Sequence, residues 1–340
     1  MNADGPHADV VLSCRARLAR NIAGFPFVNR LSDAKRHELV HLARSVLLND
    51  AIGQGMFWVD LGKATDRDRL LLVERHLISK QLADSEIERG VAVSRDEQLS
   101  VMVNEEDHLR MQYLAGGLRL QEVYDRIVSI DDAIEEKLDY AFSNRWGYLT
   151  ACPTNVGTGV RFSVMMHLPA LKITNEVERV RRAARDLHLE VRGYYGEGSE
   201  TAGDFYQISN QVTLGRSEEE LLAELESAIL PRIVEYERQA RRILAERNET
   251  LLEDRIHRAL GVLRSARLLG AEEAMKLLSR IRMGLHMGRI DGIDPSVVNR
   301  LFLLVQPAHL QVRAGHSLSA DELRATRAEV VRSEIGASPI

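Results

Sequence analysis

Four short runs hold most of the side chains in this sequence that could do chemistry. Cys152-Pro153-Thr154-Asn155-Val156-Gly157-Thr158-Gly159-Val160-Arg161 sets a thiol and a guanidinium at the two ends of a glycine-rich turn. Glycines let backbone N–H groups approach an anion, an arginine fork grips phosphate oxygens, and nearby cations favour a thiolate. The competing reading is an ordinary turn between a strand at 146–150 and a following helix. Asn104-Glu105-Glu106-Asp107-His108-Leu109-Arg110 places three consecutive carboxylates between His and Arg, directly after a strand, where chemistry is commonly mounted. Its alternative is a solvated acidic turn capping a helix over 118–142. Arg15 and Arg17 stand two apart, so an extended segment puts both on one face, as a polyanion would require; a solvated edge is the plainer reading. Arg192-Gly193-Tyr194-Tyr195-Gly196-Glu197-Gly198-Ser199-Glu200 again combines an arginine, glycines and carboxylates.

These runs need elements to hold them. Residues 10–21 are suited to an extended segment, and 56–61 and 91–103 read as strands, the latter as two runs joined through Arg95-Asp96-Glu97. Leu39, Leu42, Val46 and Leu47 give residues 32–49 an apolar helical stripe, and 67–83 and 175–188 also read as helical. Phe205–Asn210 reads as a strand. Beyond it, apolar residues recur at helical spacing through 232–268, 271–287 and 295–305, with Pro295 at a helix start. Ser217 with Glu220, and Ser319 with Glu322, form capping boxes that open two helices.

Composition bounds the function. The 340 residues are 45% hydrophobic, enough for a substantial core, and the length suggests two domains. A net charge of −5 gives no global pull toward nucleic acid or an anionic membrane. Only six of the 45 basic residues are lysines, which leaves 39 arginines. Two cysteines, Cys14 and Cys152, build no disulfide framework, and no apolar window is long enough to span a bilayer. The expectation is a soluble cytoplasmic protein without nucleic-acid or membrane partners. One decoy stands apart: His37-Glu38-Leu39-Val40-His41 matches the zinc-peptidase pattern, but Lys35, Arg36 and Arg44 crowd it with cations that oppose a divalent metal. No metal site is assigned to the chain.

Ser13-Cys14-Arg15-Ala16-Arg17, Asn104 to Arg110, Cys152 to Arg161 and Arg192 to Glu197 occur together and in this order. That set resembles the phosphagen kinases, the family of creatine and arginine kinases, over roughly residues 10–245. Glu74-Arg75-His76-Leu77-Ile78-Ser79, Tyr195-Gly196-Glu197-Gly198-Ser199-Glu200 and the C-terminal extension make the chain similar to that family's bacterial protein-arginine kinase branch. The resemblance implies an α+β fold: an antiparallel sheet flanked by helices over 1–247, then an all-helical domain over 248–340. It implies transfer of the ATP γ-phosphoryl group, with Mg²⁺, to arginine. Glu106 matches the catalytic base, Glu197 the second carboxylate gripping the guanidinium, and Cys152 the thiolate that orients it. Arg15, Arg17, Arg110, Arg161 and Arg192 match the phosphate clamp. Ser13, His76, Phe162, Ser163, Val164, Met165, Gly193 and Gly196 complete the implied nucleotide site. Gln207 departs from the pattern, standing where metabolic members carry an Asp toward the ribose.

Further implications concern partners. Without the helical N-terminal domain of the metabolic members, the acceptor site is expected to admit arginine on a protein surface. The branch carries a C-terminal phosphoarginine-binding motif, matched here by Ala320-Asp321-Glu322-Leu323-Arg324-Ala325. Its first arginine is replaced by Ala320, leaving Asp321, Arg324 and Ala325 as candidates. A homodimer, an activator protein and a Clp-type protease acting in stress response are the implied partners. Two other classes compete: a non-catalytic phosphoarginine-binding adaptor, and a zinc peptidase through His37, Glu38 and His41.

Overall fold

The computed structural model describes residues 4–49, 55–193 and 202–336. In chain order, β1 (Val11–Arg20) leads to α1 (Asp33–Leu47), capped by the Ser32 hydroxyl. Next come β2 (Phe57–Asp60), α2 (Asp66–Glu74), α3 (Lys80–Asp84), β3 (Gly90–Val93), β4 (Leu99–Val103) and β5 (Leu109–Gly116). The helix α4 (Leu120–Glu135) precedes a small hairpin of β6 (Phe142–Ser143) and β7 (Gly147–Tyr148). Then follow β8 (Val160–His167), α5 (Pro169–Ile173), α6 (Val177–Asp186), β9 (Leu189–Arg192) and β10 (Phe205–Asn210). The remainder is helical: α7 (Glu218–Ala223), α8 (Leu230–Arg247), α9 (Glu249–Ser265), α10 (Ala271–His286), α11 (Pro295–Leu304), α12 (Pro307–Ala314) and α13 (Ala320–Ile335).

Eight strands form one antiparallel sheet in the order β2-β3-β4-β5-β1-β8-β10-β9. The expected α+β architecture is present. β1 is central, so the arginine-bearing segment is no solvated edge. Alternation splits its residues: Cys14, Ala16 and Leu18 enter the core, while Ser13, Arg15 and Arg17 line the other face. The pairing carries that division across the sheet. Arg17 stands opposite Gln112 and Arg161, and Arg15 opposite Ser163.

Several local expectations are corrected. The segment 67–83 is two helices, broken where His76 takes φ 59° and Ser79 caps α3. The acidic run caps no helix; it turns the β4–β5 hairpin, and β5 follows it directly. The helix over 118–142 stops at Glu135, and Cys152 leads through a single 3₁₀ turn into strand β8 rather than a helix. The long helical stretch 232–268 breaks at Asn248, between α8 and α9.

That break coincides with the expected boundary at 247/248, yet one hydrophobic core runs across it without interruption. Phe205 of β10 meets Phe302 of α11 edge to face with ring centroids 4.8 Å apart. Buried Arg282 of α10 donates to the carbonyls of Ala8 and Asp9 and to His167, and Asn299 accepts from its Nε. Among the described residues no helix is long and apolar enough to cross a membrane.

Candidate active site

The polar face of the sheet floors a cleft of about 1420 Å³. Arg15 and Arg17 come from β1, Arg110 and Gln112 from β5, Arg161 from β8 and Arg192 from β9. Glu105, Glu106 and Cys152 also line it, as do His76 and Ser79 of the α2–α3 connection. Ala271, Gln306 and Pro307 of the C-terminal helices also line it, a wall no reading of the separate segments foresaw. A small adjoining cavity touches Ser13, Arg15, His76, Ser163, Met165 and Gln207.

The glycine-rich run works differently from its sequence reading. Gly159 has φ 67°, and a Cβ there would meet Arg20 Nη1 at 2.7 Å and the Ala19 carbonyl at 2.8 Å. A Cβ on Gly157 would lie 2.6 Å from the Thr213 carbonyl. These glycines therefore permit close packing against β1 and residues 213–214; the cleft is lined by Cys152, Thr154 and Asn155 instead. Arg20 itself is buried, bonds Asp131 of α4 at 2.6 Å, donates to the Thr158 carbonyl and stacks on Tyr148.

The acidic turn divides three neighbouring carboxylates into three jobs. Glu105 is buried and accepts from Arg110 Nη1 at 2.6 Å, Ser79 Oγ at 2.6 Å and the Glu106 N–H at 2.8 Å. Burial pushes Glu105 up, but the Arg110 charge and these bonds outweigh it and leave its carboxyl below the usual range. Asp107 accepts from Asn21 at 2.6 Å and from the Ala151 N–H at 2.7 Å, tying the turn to the loop that carries Cys152. Glu106 is the more open of the three. Burial, with Asp107 and Glu105 beside it, raises its carboxyl above the ordinary value despite the Arg110 charge and the nearby Cys152 side chain. The Cys152 thiol also lies 3.0 Å from the Thr154 hydroxyl.

The arginines form a cationic floor. Burial first, then repulsion from Arg110 and Arg161, pulls Arg15 down to about 10. The same causes, with Arg15 added, pull Arg17 well below its ordinary value. Among the described residues Arg17 has no carboxylate within ion-pair distance, and its solvent-shielded Nε has no hydrogen-bond partner. Such a set is poised for a polyanion. Burial, then the Arg15 charge, also pulls His76 down to about 4, so its ring is neutral near pH 7.

Of the implied nucleotide residues, Arg15, Arg17, Arg110, Arg161, Arg192 and His76 share the main cleft, and Ser13, Ser163 and Met165 the cavity beside it. Phe162 and Val164 do not point there; alternation buries their side chains in the core on the other face. Gly193 is buried and lines neither space. Glu197 and Gly196 lie outside the described residues. Asp321 and Arg324 are exposed on the first turns of α13, 3.7 Å apart, with Ala325 exposed beside them. In the peptidase-like run, His37 bonds Glu88 at 2.8 Å and Glu38 pairs with Lys35. Sequence reasoning missed Glu105, Gln112 and Glu190. Gln112 accepts from Arg15 and donates to the His76 carbonyl, and Glu190 bonds both Arg161 and Arg192.

Comparison with known proteins decides the family. Residues 41–240 match the model of the ATP:guanido phosphotransferase C-terminal catalytic domain, and 249–339 match that of the protein-arginine kinase McsB C-terminal domain. A protein-arginine kinase of Symbiobacterium thermophilum is 46% identical over 340 residues, covering 99% of this chain and 96% of the relative. That of Bacillus subtilis is 42% identical over 337 residues, covering 98% and 92%. The chain belongs to the protein-arginine kinases. Solved relatives of this kinase agree in fold. A duplicated taurocyamine kinase of Schistosoma mansoni superposes with a TM-score of 0.62 at 28% identity, over 70% of this chain and 34% of that one. A lombricine kinase gives 0.60 at 26%, over 70% and 68%.

Proposed function

We propose that this chain moves the γ-phosphoryl group of ATP onto arginine side chains of proteins, with the cleft over the polar sheet face as the active site. The observation that supports this best is the meeting of Glu106 and Cys152 with five arginines in one cleft. Arg15, Arg17, Arg110, Arg161 and Arg192 hold the phosphate chain, since phosphoryl transfer depends chiefly on positioning and on neutralising charge. Mg²⁺ is taken to enter on the triphosphate, keeping several of its waters. When bound, the ion supplies further neutralisation of the phosphate oxygens.

An arginine guanidinium is a poor nucleophile while protonated. Glu106, held less acidic than an ordinary glutamate, takes a proton from the terminal nitrogen as the N–P bond forms and the bond from the γ-phosphorus to the bridging oxygen breaks. ADP leaves with that oxygen's electron pair. Cys152 orients the acceptor from beside Glu106, and Glu197 is assigned the second grip on the guanidinium fork. The same reading assigns Asp321, Arg324 and Ala325 to phosphoarginine binding. It further takes the protein to be a cytoplasmic homodimer with an activator, marking proteins for a Clp-type protease.

Incubation with labelled Mg-ATP and a generic protein substrate tests the reaction. Label lost in mild acid, kept in mild base and absent with Glu106→Gln is expected for phosphate on arginine nitrogen. Acid-stable label would overturn both the acceptor and the role of Glu106.

A further inference from the structure

Glu190 lies on β9, at the sheet margin beside the arginine floor. Its Oε2 accepts from Arg161 Nη2 at 2.5 Å and from Arg192 Nη2 at 2.7 Å, so one carboxylate oxygen bridges two of the five clamp arginines. The register explains the position. Glu190 pairs with Ser209 across β9–β10, Ser209 pairs with Ser163 across β10–β8, and Arg161 donates to Ser209 Oγ at 2.8 Å. Arg161 and Arg192 line the cleft while Glu190 does not. A phosphate chain in the cleft can therefore meet the two guanidinium groups while the carboxylate beside them stays in place.

The charges show what this arrangement does. Burial and the charge of Arg192 weaken the protonated form of Arg161, and Glu190 works in the opposite direction. Burial acts to raise Glu190, but the bonds and charges of the two arginines outweigh it and hold its carboxyl below the usual range. Glu190 is thus ionised throughout the neutral range. A fixed negative charge one guanidinium away from the bound phosphates repels them, while it relieves the mutual repulsion of the two arginines.

We infer that Glu190 is a built-in counter-ion that sets nucleotide affinity below what the five arginines alone would give, and so favours release of the nucleoside diphosphate product. This rests on the cleft being the nucleotide site. Glu190 is a positioning residue: its contacts are to Arg161 and Arg192, and it reaches the nucleotide only through its charge.

Binding of ADP, measured calorimetrically on the full chain at several salt concentrations, tests the inference without any arginine acceptor. Glu190→Gln keeps an oxygen that can accept from both arginines and deletes the charge. It is expected to bind ADP about five- to tenfold tighter, with affinity falling more steeply as salt rises, because one more net positive charge faces the phosphates. In turnover its nucleotide KM is expected to fall and, where ADP release limits the rate, kcat with it. Glu190→Asp, which keeps the charge, is expected to stay near the parent in affinity and salt slope. Glu190→Ala is the second charge-deleting variant should Glu190→Gln fold poorly, and its binding is expected to steepen with salt in the same way. Merely structural damage weakens binding, so a folded Glu190→Gln protein with unchanged or weaker ADP affinity overturns the counter-ion role. A parent protein that binds no ADP would instead overturn the assignment of the cleft itself.

Discussion

At the scale of single residues, the cleft separates its carboxylates by environment. Glu105 is committed to Arg110 and Ser79, whereas Glu106 keeps an open side and a raised pKa. A base must be ionised to accept a proton, so with Glu106 as the proposed base activity is expected to fall as pH drops through its pKa. Because that pKa is raised, the acid limb of kcat/KM is expected above the ordinary glutamate range, and absent from whatever activity Glu106→Gln retains. Loss of the base is expected to lower kcat by about 10²–10⁴-fold with ADP affinity preserved. A pH–rate profile with a parallel binding titration checks both, and a limb that persists in Glu106→Gln would assign it to another group. Glu106, Cys152 and the five arginines were legible in the sequence because their chemistry is written in compact runs. Glu190 and Gln112 were not. Their roles arise from cross-strand neighbours, and register between distant segments leaves no mark within either segment alone.

At the scale of elements, the loops that line the cleft are stitched together by buried polar groups. Asn21, just past β1, donates to Asp107 and to the Leu149 carbonyl and accepts from the His108 N–H at 2.9 Å. Asp107 in turn holds the Ala151 N–H, one residue from the Cys152 thiol. Asp107→Ala would strand two buried donors, at a cost of about 2–4 kcal/mol. It is expected to lower the urea midpoint, to depress kcat more than nucleotide affinity, and to change the rate at which Cys152 is alkylated. An unchanged alkylation rate in the folded variant would show that the loop is held by other means. The acidic run was legible as unusual, but its partners were not, since Asn21 and Ala151 are 86 and 44 residues from their contacts. Two readings failed for related reasons. The helix over 67–83 breaks because His76 takes a left-handed turn that apolar spacing does not encode, and the glycines at 157 and 159 serve packing partners visible only in three dimensions.

At the scale of the molecule, the C-terminal helices are part of the cleft rather than an appendage. Helical spacing and both capping boxes foretold these helices, but nothing in periodicity says where a helix docks. The docking is polar at its key point. Glu74, the last residue of α2, accepts from the Ala308 and His309 N–H groups at 2.8 and 3.1 Å and from His309 Nδ1 at 2.8 Å. It thereby caps α12, whose own N-cap residue Gln306 makes no side-chain cap bond. Arg75 adds a bond to His309 Nε2, and His76 follows directly, facing the cleft. One carboxylate thus joins the start of a C-terminal helix to the α2–α3 connection beside the proposed nucleotide site. Glu74→Ala leaves two backbone donors and His309 without their buried acceptor, at a cost of about 3–5 kcal/mol. Because the core is continuous across Asn248, that loss is expected to lower a single unfolding transition rather than to split it in two. ADP affinity is expected to fall alongside, since the connection carrying His76 loses its anchor. His309→Ala, which leaves both backbone bonds in place, is expected to do less on both counts. Thermal unfolding with an ADP titration separates the cases: lower stability with unchanged affinity would mean that the junction holds the fold together without reaching the site.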